Sequence, residues 1–333
     1  MSMRRHEPEK ENPDTVAAEI GVQGIEALPR RVETYGKAKR DALDISEYID
    51  AHGGEPFQKV AQRVRGCGDY LVFRHYFTVD QVKLHGASLC MKHLLCRLCA
   101  IRRGAKYLAA YIQRFELLRA QNPRLRAFLV TLTVKDGDDL KERFDHLHRS
   151  QRELWKQKSR GRGSPLDGVF GAVWSYEIKR GSGSGKWHPH LHMIVLAEHL
   201  DTENYQAGTL GALSAAWHNI TGDSFMVDVR PVDQQDPATG FVEVFKYAVK
   251  FSDQSHADTF HAFLVLRGKR LIASAGAFRG VPEPADLLDD SEALEGLPFV
   301  TLFYRYLPSG YSLSADFSPP PARQDGRRRR GTP

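Results

Sequence analysis

Three histidines alternate with other residues in the segment 188–192, which reads His-Pro-His-Leu-His. Alternate side chains of a β-strand point to the same face, so His188, His190 and His192 can converge. Imidazole is the commonest metal-ligating side chain in proteins, and neighbouring imidazoles on one face suit a divalent ion. The spacing therefore predicts a metal site carried by a strand.

A carboxylate is expected close to these histidines. The segments 168–177 and 188–197 have the apolar pattern of strands, and the Gly-Ser-rich stretch between them predicts a hairpin. In one register of that hairpin, Glu177 lies across from His190 and His192. An oxygen ligand would favour Mg²⁺ or Mn²⁺ in such a site. His188 competes with Glu177 for the place of the third ligand.

A second set of reactive groups falls on a helix predicted over residues 241–253. Glu243, Lys246, Tyr247 and Lys250 recur there at the spacing of one helical stripe. A phenol with a pKa of about 10 is a poor nucleophile at neutral pH unless cations or a metal stabilise the phenolate. The stripe therefore indicates an activated tyrosine, or else a surface stripe of ordinary helix pairs.

All four cysteines lie in the first third of the chain and are expected to act together. They are Cys67, Cys90, Cys96 and Cys99. Cytoplasmic proteins rarely keep disulfides, whereas four thiolates suit a closed tetrahedral Zn²⁺ site with a structural role. Cys96 and Cys99 supply a CxxC half-site, and His85 and His93 are substitute ligands if one cysteine is not involved. Free thiols are the alternative.

The elements that must position these groups follow from the hydrophobic periodicity. Residues 127–134 are β-branched, aromatic and almost continuously apolar, which predicts a buried central strand. Further strands are predicted over 70–73, 168–177, 188–197, 225–232 and 297–307. Helices are predicted over 41–65, 100–119, 138–157, 203–219, 241–253 and 256–266. This order predicts an α+β fold with a central antiparallel sheet layered with helices.

Positive charge is concentrated in two places. The chain of 333 residues has a formal net charge of +6, and its last sixteen residues contain five arginines. Residues 90–126 contain nine Lys or Arg and one Glu. Clustered positive charge is typical of a phosphate-binding surface, and a solvated helix face is the alternative. The candidates for DNA contacts in this stretch are Arg97, Arg102, Arg103 and Lys106.

The composition excludes several classes of protein. Apolar residues at 41%, charged residues at 26% and aromatic residues at 10% are ordinary for a globular chain, which argues against collagen-like and wholly disordered proteins. No apolar run is long enough for a transmembrane helix, and the charged start has no apolar stretch behind it. A cytoplasmic location without a membrane partner is therefore predicted.

Three motifs together carry a resemblance to a known family. They are residues 128–133 (Phe-Leu-Val-Thr-Leu-Thr), the histidine motif 188–192, and Glu243 with Tyr247 and Lys250. Their order and spacing are similar to those of plasmid rolling-circle replication initiators. The chain resembles a Rep protein of the single-tyrosine HUH endonuclease superfamily over about residues 65–280. The cysteine cluster and the segment 268–280 resemble the same branch.

The resemblance implies an HUH-type fold and a set of roles. His190 and His192 would be the metal-binding pair, Tyr247 the nucleophile on a DNA phosphate, and Lys250 a basic residue one turn beyond it. The products would be a 5′-phosphotyrosine link and a free 3′-OH. Glu243 would activate water for the terminating cleavage. The implied partners are plasmid origin DNA, with a single-stranded or hairpin nick site and flanking duplex, and the host helicase, single-strand binding protein and DNA polymerase.

Five regions are predicted along the chain. They are a flexible leader (1–40), a Cys-rich basic helical module (41–126), an HUH-type catalytic domain (127–282), an acidic loop with a late strand (283–317) and a disordered Arg-rich tail (318–333). Two other classes of function stay open at this point. One is an HUH transposase or mobilisation relaxase. The other is a non-catalytic, zinc-dependent DNA-binding regulator, which would leave the histidine strand and the Glu-Tyr-Lys stripe unexplained.

Overall fold

The computed structural model describes residues 24–160, 163–202, 211–246 and 254–314. Tyr247, Lys250, the Arg-rich tail and the first 23 residues of the predicted leader lie outside these ranges. None of the helices described combines the length and apolarity needed to cross a lipid bilayer.

The described residues form an α+β fold. The strands are β1 (Tyr70–Tyr76), β2 (Gln81–Ala87), β3 (Arg126–Thr133), β4 (Val169–Arg180), β5 (Trp187–Ala197), β6 (Val227–Pro231), β7 (Ile272–Gly276), β8 (Val300–Leu307) and β9 (Gly310–Leu313). The helices are α1 (Leu28–His52), α2 (Gln58–Arg65), α3 (Arg97–Gln121), α4 (Leu140–Arg160), α5 (Ala212–Thr221), α6 (Pro237–Phe245) and α7 (His256–Leu266).

The larger sheet has five strands in the order β6-β3-β5-β4-β7, and all neighbours run antiparallel. The predicted central strand is β3, which is paired on both sides as its continuous apolar run requires. The predicted hairpin is β4 with β5. Both predictions are confirmed.

The sequence-based expectation of one central sheet is incomplete, because the structure has a second antiparallel sheet. Its order is β2-β1-β8-β9, so β1 pairs with a strand more than 200 residues later in the chain. Local periodicity does not reveal pairings of this range, and β2 was missed because polar residues alternate with its few apolar ones.

Several helices differ from their predicted limits, and the one predicted over 41–65 is two helices, α1 and α2. The helix α1 begins at Leu28 and buries Tyr35 and Ala38, so the predicted leader boundary at residue 40 falls inside a packed helix. The helix predicted over 241–253 begins earlier, at Pro237, and its described part ends at Phe245. Proline is favoured in the first turn because the amide it lacks would have no partner there.

Helices pack on both faces of the larger sheet. On one face they leave part of the sheet uncovered. On one side, Val130 and Leu191 pack in a buried cluster with Leu147 of α4. On the other side, Ile194 packs with Phe241 of α6 and with α3. The helices of this second side cover the apolar part of the face and leave its polar part open, where the predicted histidines lie.

Candidate functional site

The three predicted histidines share the open face of β5. They are half-buried and alternate with buried residues that point to the α4 side. The rings of His188 and His190 lie 4.4 Å apart, and those of His190 and His192 lie 6.0 Å apart and nearly parallel. The structure therefore brings the three imidazoles together on one face, as the alternation predicts.

Glu177 lies beside them in the register that the sequence pattern allowed. Its Cα pairs with that of His190 across the β4–β5 hairpin. Nε2 of His192 donates to Oε2 of Glu177 at 2.7 Å, and Nδ1 of the same ring lies 3.2 Å from Oγ1 of Thr131. In the tautomer with hydrogen on Nε2, Nδ1 accepts from the threonine hydroxyl, whereas a ring whose Nε2 is free to bind a metal ion carries its hydrogen on Nδ1 and donates it to Thr131. Thr131 thus orients the ring, a role that the sequence motifs did not indicate.

One ring nitrogen of His190, Nε2, is buried without a hydrogen-bond partner within the described residues. Burial lowers the pKa of His190 to about 3, so the imidazole is neutral near pH 7. Burial also lowers the pKa of His188. A buried nitrogen without a partner costs free energy that a ligated cation would offset. Two neutral imidazoles and a carboxylate fit a divalent metal ion.

A cleft of about 640 Å³ joins the histidine face to α6. His190, His192 and Glu177 line one side of it, and Glu243 and Lys246 line the other. Lys246 Nζ forms an ion pair with Glu243, which keeps both side chains at the cleft. Tyr247 and Lys250, which lie outside the described residues, follow Lys246 in the sequence.

Polar residues of β6 also line this cleft, and the sequence motifs did not assign them to the site. They are Asp228 and Arg230, whose side chains point to the histidine side of the sheet. The alternation of polar and apolar residues in β6 was the available signal. It could not be used without knowing that β6 pairs with β3.

Close packing against α3 positions α6. The ring of Phe245 stacks on that of Tyr111, with centroids 5.1 Å apart. The Ser175 hydroxyl on β4 donates to the carbonyl of Val244. At Gly104 of α3, an added Cβ would lie 2.3 Å from the Phe245 carbonyl oxygen. Only glycine therefore permits this approach of α3 to the last turn of α6.

The four cysteines form a second candidate metal site, as predicted. All are buried and free, and their sulfurs lie within 4.8 Å of one another. Sγ of Cys67 lies 3.4 Å from that of Cys96, and Sγ of Cys99 lies 3.6 Å from those of Cys67 and Cys90. A tetrahedral ion with Zn–S bonds of about 2.3 Å would hold its sulfurs about 3.8 Å apart, so a small adjustment accommodates Zn²⁺.

The thiols compete for protons in this cluster. Hydrogen bonds among them raise the pKa of Cys67 and Cys96 well above the ordinary value and lower that of Cys90. A cation bound by all four sulfurs would replace these shared protons. Cys96 is the N-cap of α3, and Cys99 lies in the first turn. A bound ion would therefore fix the start of the helix that supports α6.

One predicted DNA contact is in the interior. Arg102 is 1% exposed, and its guanidinium donates to the Leu287 carbonyl, the Tyr35 hydroxyl and Asp289. Arg31 binds the same carboxylate at 2.9 Å. Burial raises the pKa of Asp289, but the two arginines outweigh this effect and hold it well below its usual range. Arg102 is out of reach of a DNA phosphate, so its prediction as a DNA contact is wrong.

The other three candidates on α3 have carboxylate partners. The ion pairs are Arg97–Asp41 at 3.0 Å, Arg103–Glu283 at 2.6 Å and Lys106–Asp290 at 2.7 Å. Two of these partners belong to the predicted acidic loop, which lies along α3 and neutralises much of its charge.

Comparison with known proteins identifies the family of the chain. The sequence profile of the Rep_1 family, described as replication protein, matches residues 81–297. The match covers more than half of the chain. The chain therefore belongs to the Rep_1 family of replication proteins.

Curated relatives carry the name Protein rep. One from Lactiplantibacillus plantarum is 26% identical over 256 residues, covering 69% of this chain and 76% of the relative. Others from Bacillus amyloliquefaciens and Streptococcus pneumoniae are each 26% identical, over 212 and 203 residues. These alignments cover 62% and 58% of this chain, and 59% and 61% of the relatives. No solved structure matches the chain.

Proposed function

We propose that this protein initiates rolling-circle replication of a plasmid by nicking one strand of the origin. The observation that carries the proposal is the cleft in which His190, His192 and Glu177 face Glu243, which is four residues before Tyr247 in the sequence. Membership of a replication protein family supports this reading over a transposase or a mobilisation relaxase.

The metal would be held by His190 and His192, with Glu177 as the third ligand and His188 as its competitor. Imidazole nitrogens and a carboxylate suit Mn²⁺ or Mg²⁺. When bound, the ion supplies Lewis-acid polarisation of the scissile phosphate. Thr131 keeps the His192 ring in a fixed orientation.

Tyr247 is the proposed nucleophile. A bond forms between its phenolic oxygen and phosphorus, and the bond from phosphorus to the 3′ oxygen breaks. The phenol loses its proton and the leaving 3′ oxygen gains one, which yields a 5′-phosphotyrosine and a free 3′-OH. Lys250 favours the phenolate by its charge. The linkage retains the phosphodiester free energy, so the strand can be rejoined without ATP. The host polymerase, helicase and single-strand binding protein would extend the 3′-OH.

Glu243 is the proposed general base for termination. It lies in the cleft beside its partner Lys246, within the space where a second cleavage would occur. As a base it would let water, rather than a second tyrosine, cleave the regenerated origin. The four cysteines would hold a structural Zn²⁺ that anchors α3 and, through it, α6.

The test is metal-dependent nicking of labelled single-stranded fragments of the replicon. Purified protein is incubated with Mn²⁺ or with EDTA and analysed on denaturing gels and by mass spectrometry. We expect an EDTA-sensitive cut with DNA mass on the peptide that contains Tyr247. Tyr247→Phe should abolish the cut and keep DNA binding. A covalent product formed by that variant would refute the assignment.

A further inference from the structure

A second cleft lies on the opposite side of the larger sheet from the histidines. It has a volume of about 460 Å³ and is bounded by α4, by the edge strand β7 and by the turn that follows β7. We call it the edge cleft. Its charged lining residues are Arg152, Lys156, Arg160 and Arg279, all of them cations and all exposed.

The cations of the edge cleft differ from those of α3 in their partners. Lys156 and Arg160 share a single carboxylate, Glu153. Within the described ranges, the structure gives neither Arg152 nor Arg279 a carboxylate partner. On α3, by contrast, each of the four candidate cations has one. The remaining two cations of α3 are half-buried and donate to backbone carbonyls. The exposed cations of the edge cleft that have no carboxylate partner among the described residues are therefore more open to a phosphate than those of α3.

The edge cleft is connected to the proposed nicking site by β7. The segment just before this strand, residues 268–271, lines a cavity together with Lys246 at the end of α6. Arg270 in that segment is exposed and has no carboxylate partner among the described residues. Arg270, Arg152 and Arg279 thus mark a positive path from the end of α6 around the edge of the sheet.

The chemistry of this path fits the sugar–phosphate backbone of a duplex. Trp155 and Trp174 line the edge cleft, but their rings stack on each other, 5.7 Å apart, and so do not stand apart to receive a base. Proteins that hold single strands use free aromatic faces for that purpose. The Trp155 indole N–H is buried and has no hydrogen-bond acceptor among the described residues.

We propose that the edge cleft, extended by Arg270, binds the phosphate backbone of duplex DNA next to the nick site. The inference rests on the proposed nicking function, because that function requires duplex beside the cleaved strand. Phosphate contacts position the protein without reading sequence. The duplex would therefore be held by α4 and β7, while α3 supports α6 from within the fold.

The test measures binding of a fluorescein-labelled 20-bp duplex of mixed sequence by anisotropy, at several NaCl concentrations. The test variant is Arg152→Ala with Arg279→Ala in the full chain. We expect affinity for the duplex to fall about tenfold at low salt. The slope of log affinity against log salt should fall by about 0.9 for each phosphate that the variant no longer neutralises. Nicking of a single-stranded origin fragment should continue at the wild-type rate.

Two further double variants distinguish binding at the edge cleft from a general effect of lost charge and from binding at α3. Arg30→Ala with Arg40→Ala removes the same charge from exposed positions on α1 and should leave the salt slope unchanged. Arg103→Ala with Lys106→Ala tests the basic face of α3 and should change the affinity much less than the edge variant does. An edge variant with wild-type slope, or an equal loss in either comparison variant, overturns the proposal.

A substitution of opposite charge provides an independent check. Ala275→Glu places a carboxylate on β7 within the edge cleft, and it should weaken duplex binding at least as much as the double variant. Each variant should unfold at about the temperature of the wild type, which checks that the fold is kept. If the wild type fails to nick but the edge variants lose duplex binding, the proposed function fails and the duplex surface stands.

Discussion

The contact between α3 and the end of α6 makes Gly104 a sensitive position. In Gly104→Ala the new Cβ would lie 2.3 Å from the Phe245 carbonyl oxygen and 3.3 Å from that of Lys246. Both partners are backbone atoms, so one helix must move by about 1 Å to restore an ordinary contact. Forced overpacking costs about 1–3 kcal/mol. The better helix propensity of alanine returns up to about 1 kcal/mol.

The expected result is a moderate loss of stability and a larger loss of activity. A net cost of about 1–2 kcal/mol follows from these two effects. A misplacement of about 1 Å can reduce a reaction rate by about 10²-fold, and α6 is the helix that holds Glu243 and leads into Tyr247. Thermal unfolding and the rate of metal-dependent nicking measure the two quantities separately.

Gly36→Ala on α1 is the matched control. An added Cβ there meets only the ring of Tyr311 at 3.7 Å, which is an ordinary contact. This variant should be as stable as the wild type or more so, since alanine favours the helix, and it should nick normally. If Gly104→Ala also unfolds and nicks like the wild type, our account of how α6 is positioned is refuted.

Four further outcomes are expected. Arg102→Met should lower the free energy of unfolding by about 3–5 kcal/mol in a denaturant titration, because it leaves Asp289 buried with less compensation; a loss below about 1 kcal/mol would contradict the burial of this pair. Glu243→Ala should still nick but fail to release unit-length circles, and normal release would exclude its role in water activation. Purified protein should contain one Zn²⁺ by elemental analysis, and Cys99→Ser should lose the metal and unfold at lower temperature; a metal-free wild type of equal stability would count against the zinc site. Without added Mg²⁺ or Mn²⁺, stability should fall as the pH drops from about 6.5 towards 3, by up to about 1.4 kcal/mol per pH unit. The reason is that His190 binds a proton in the unfolded chain but stays neutral when folded. In His190→Gln the free energy of unfolding should depend less steeply on pH over this range. An unchanged dependence would show that groups other than His190 cause it.

The residue types and spacings of short segments were enough to predict several local features. The alternation of histidines in the segment 188–192 requires one shared face in any strand. The hairpin that carries it follows from two apolar runs and the glycines between them. The cysteine set could be recognised from the sequence because all four thiols lie in the first third of the chain and four thiolates suit a closed tetrahedral metal site.

The placement of charge depended on tertiary structure. Nothing local to α3 indicates that Asp289 pairs with Arg102, since the two residues are 187 positions apart. A basic sequence predicts a basic surface only if no acidic segment folds onto it. Here the loop around residues 283–290 does so, whereas Arg152 and Arg279, which have no carboxylate partner among the described residues, lie exposed at the edge of the sheet.

By itself, the sequence determined which groups could react and which short elements carry them, since helix and strand periods place side chains on faces without reference to the rest of the chain. The tertiary structure alone decided which of those faces meet. The pairing of β1 with β8, the approach of Gly104 to α6 and the meeting of Glu243 with the histidine strand each join segments that are far apart in sequence. Such contacts are selected by the packing of the whole core and not by local preference, and for that reason they cannot be read from any one segment.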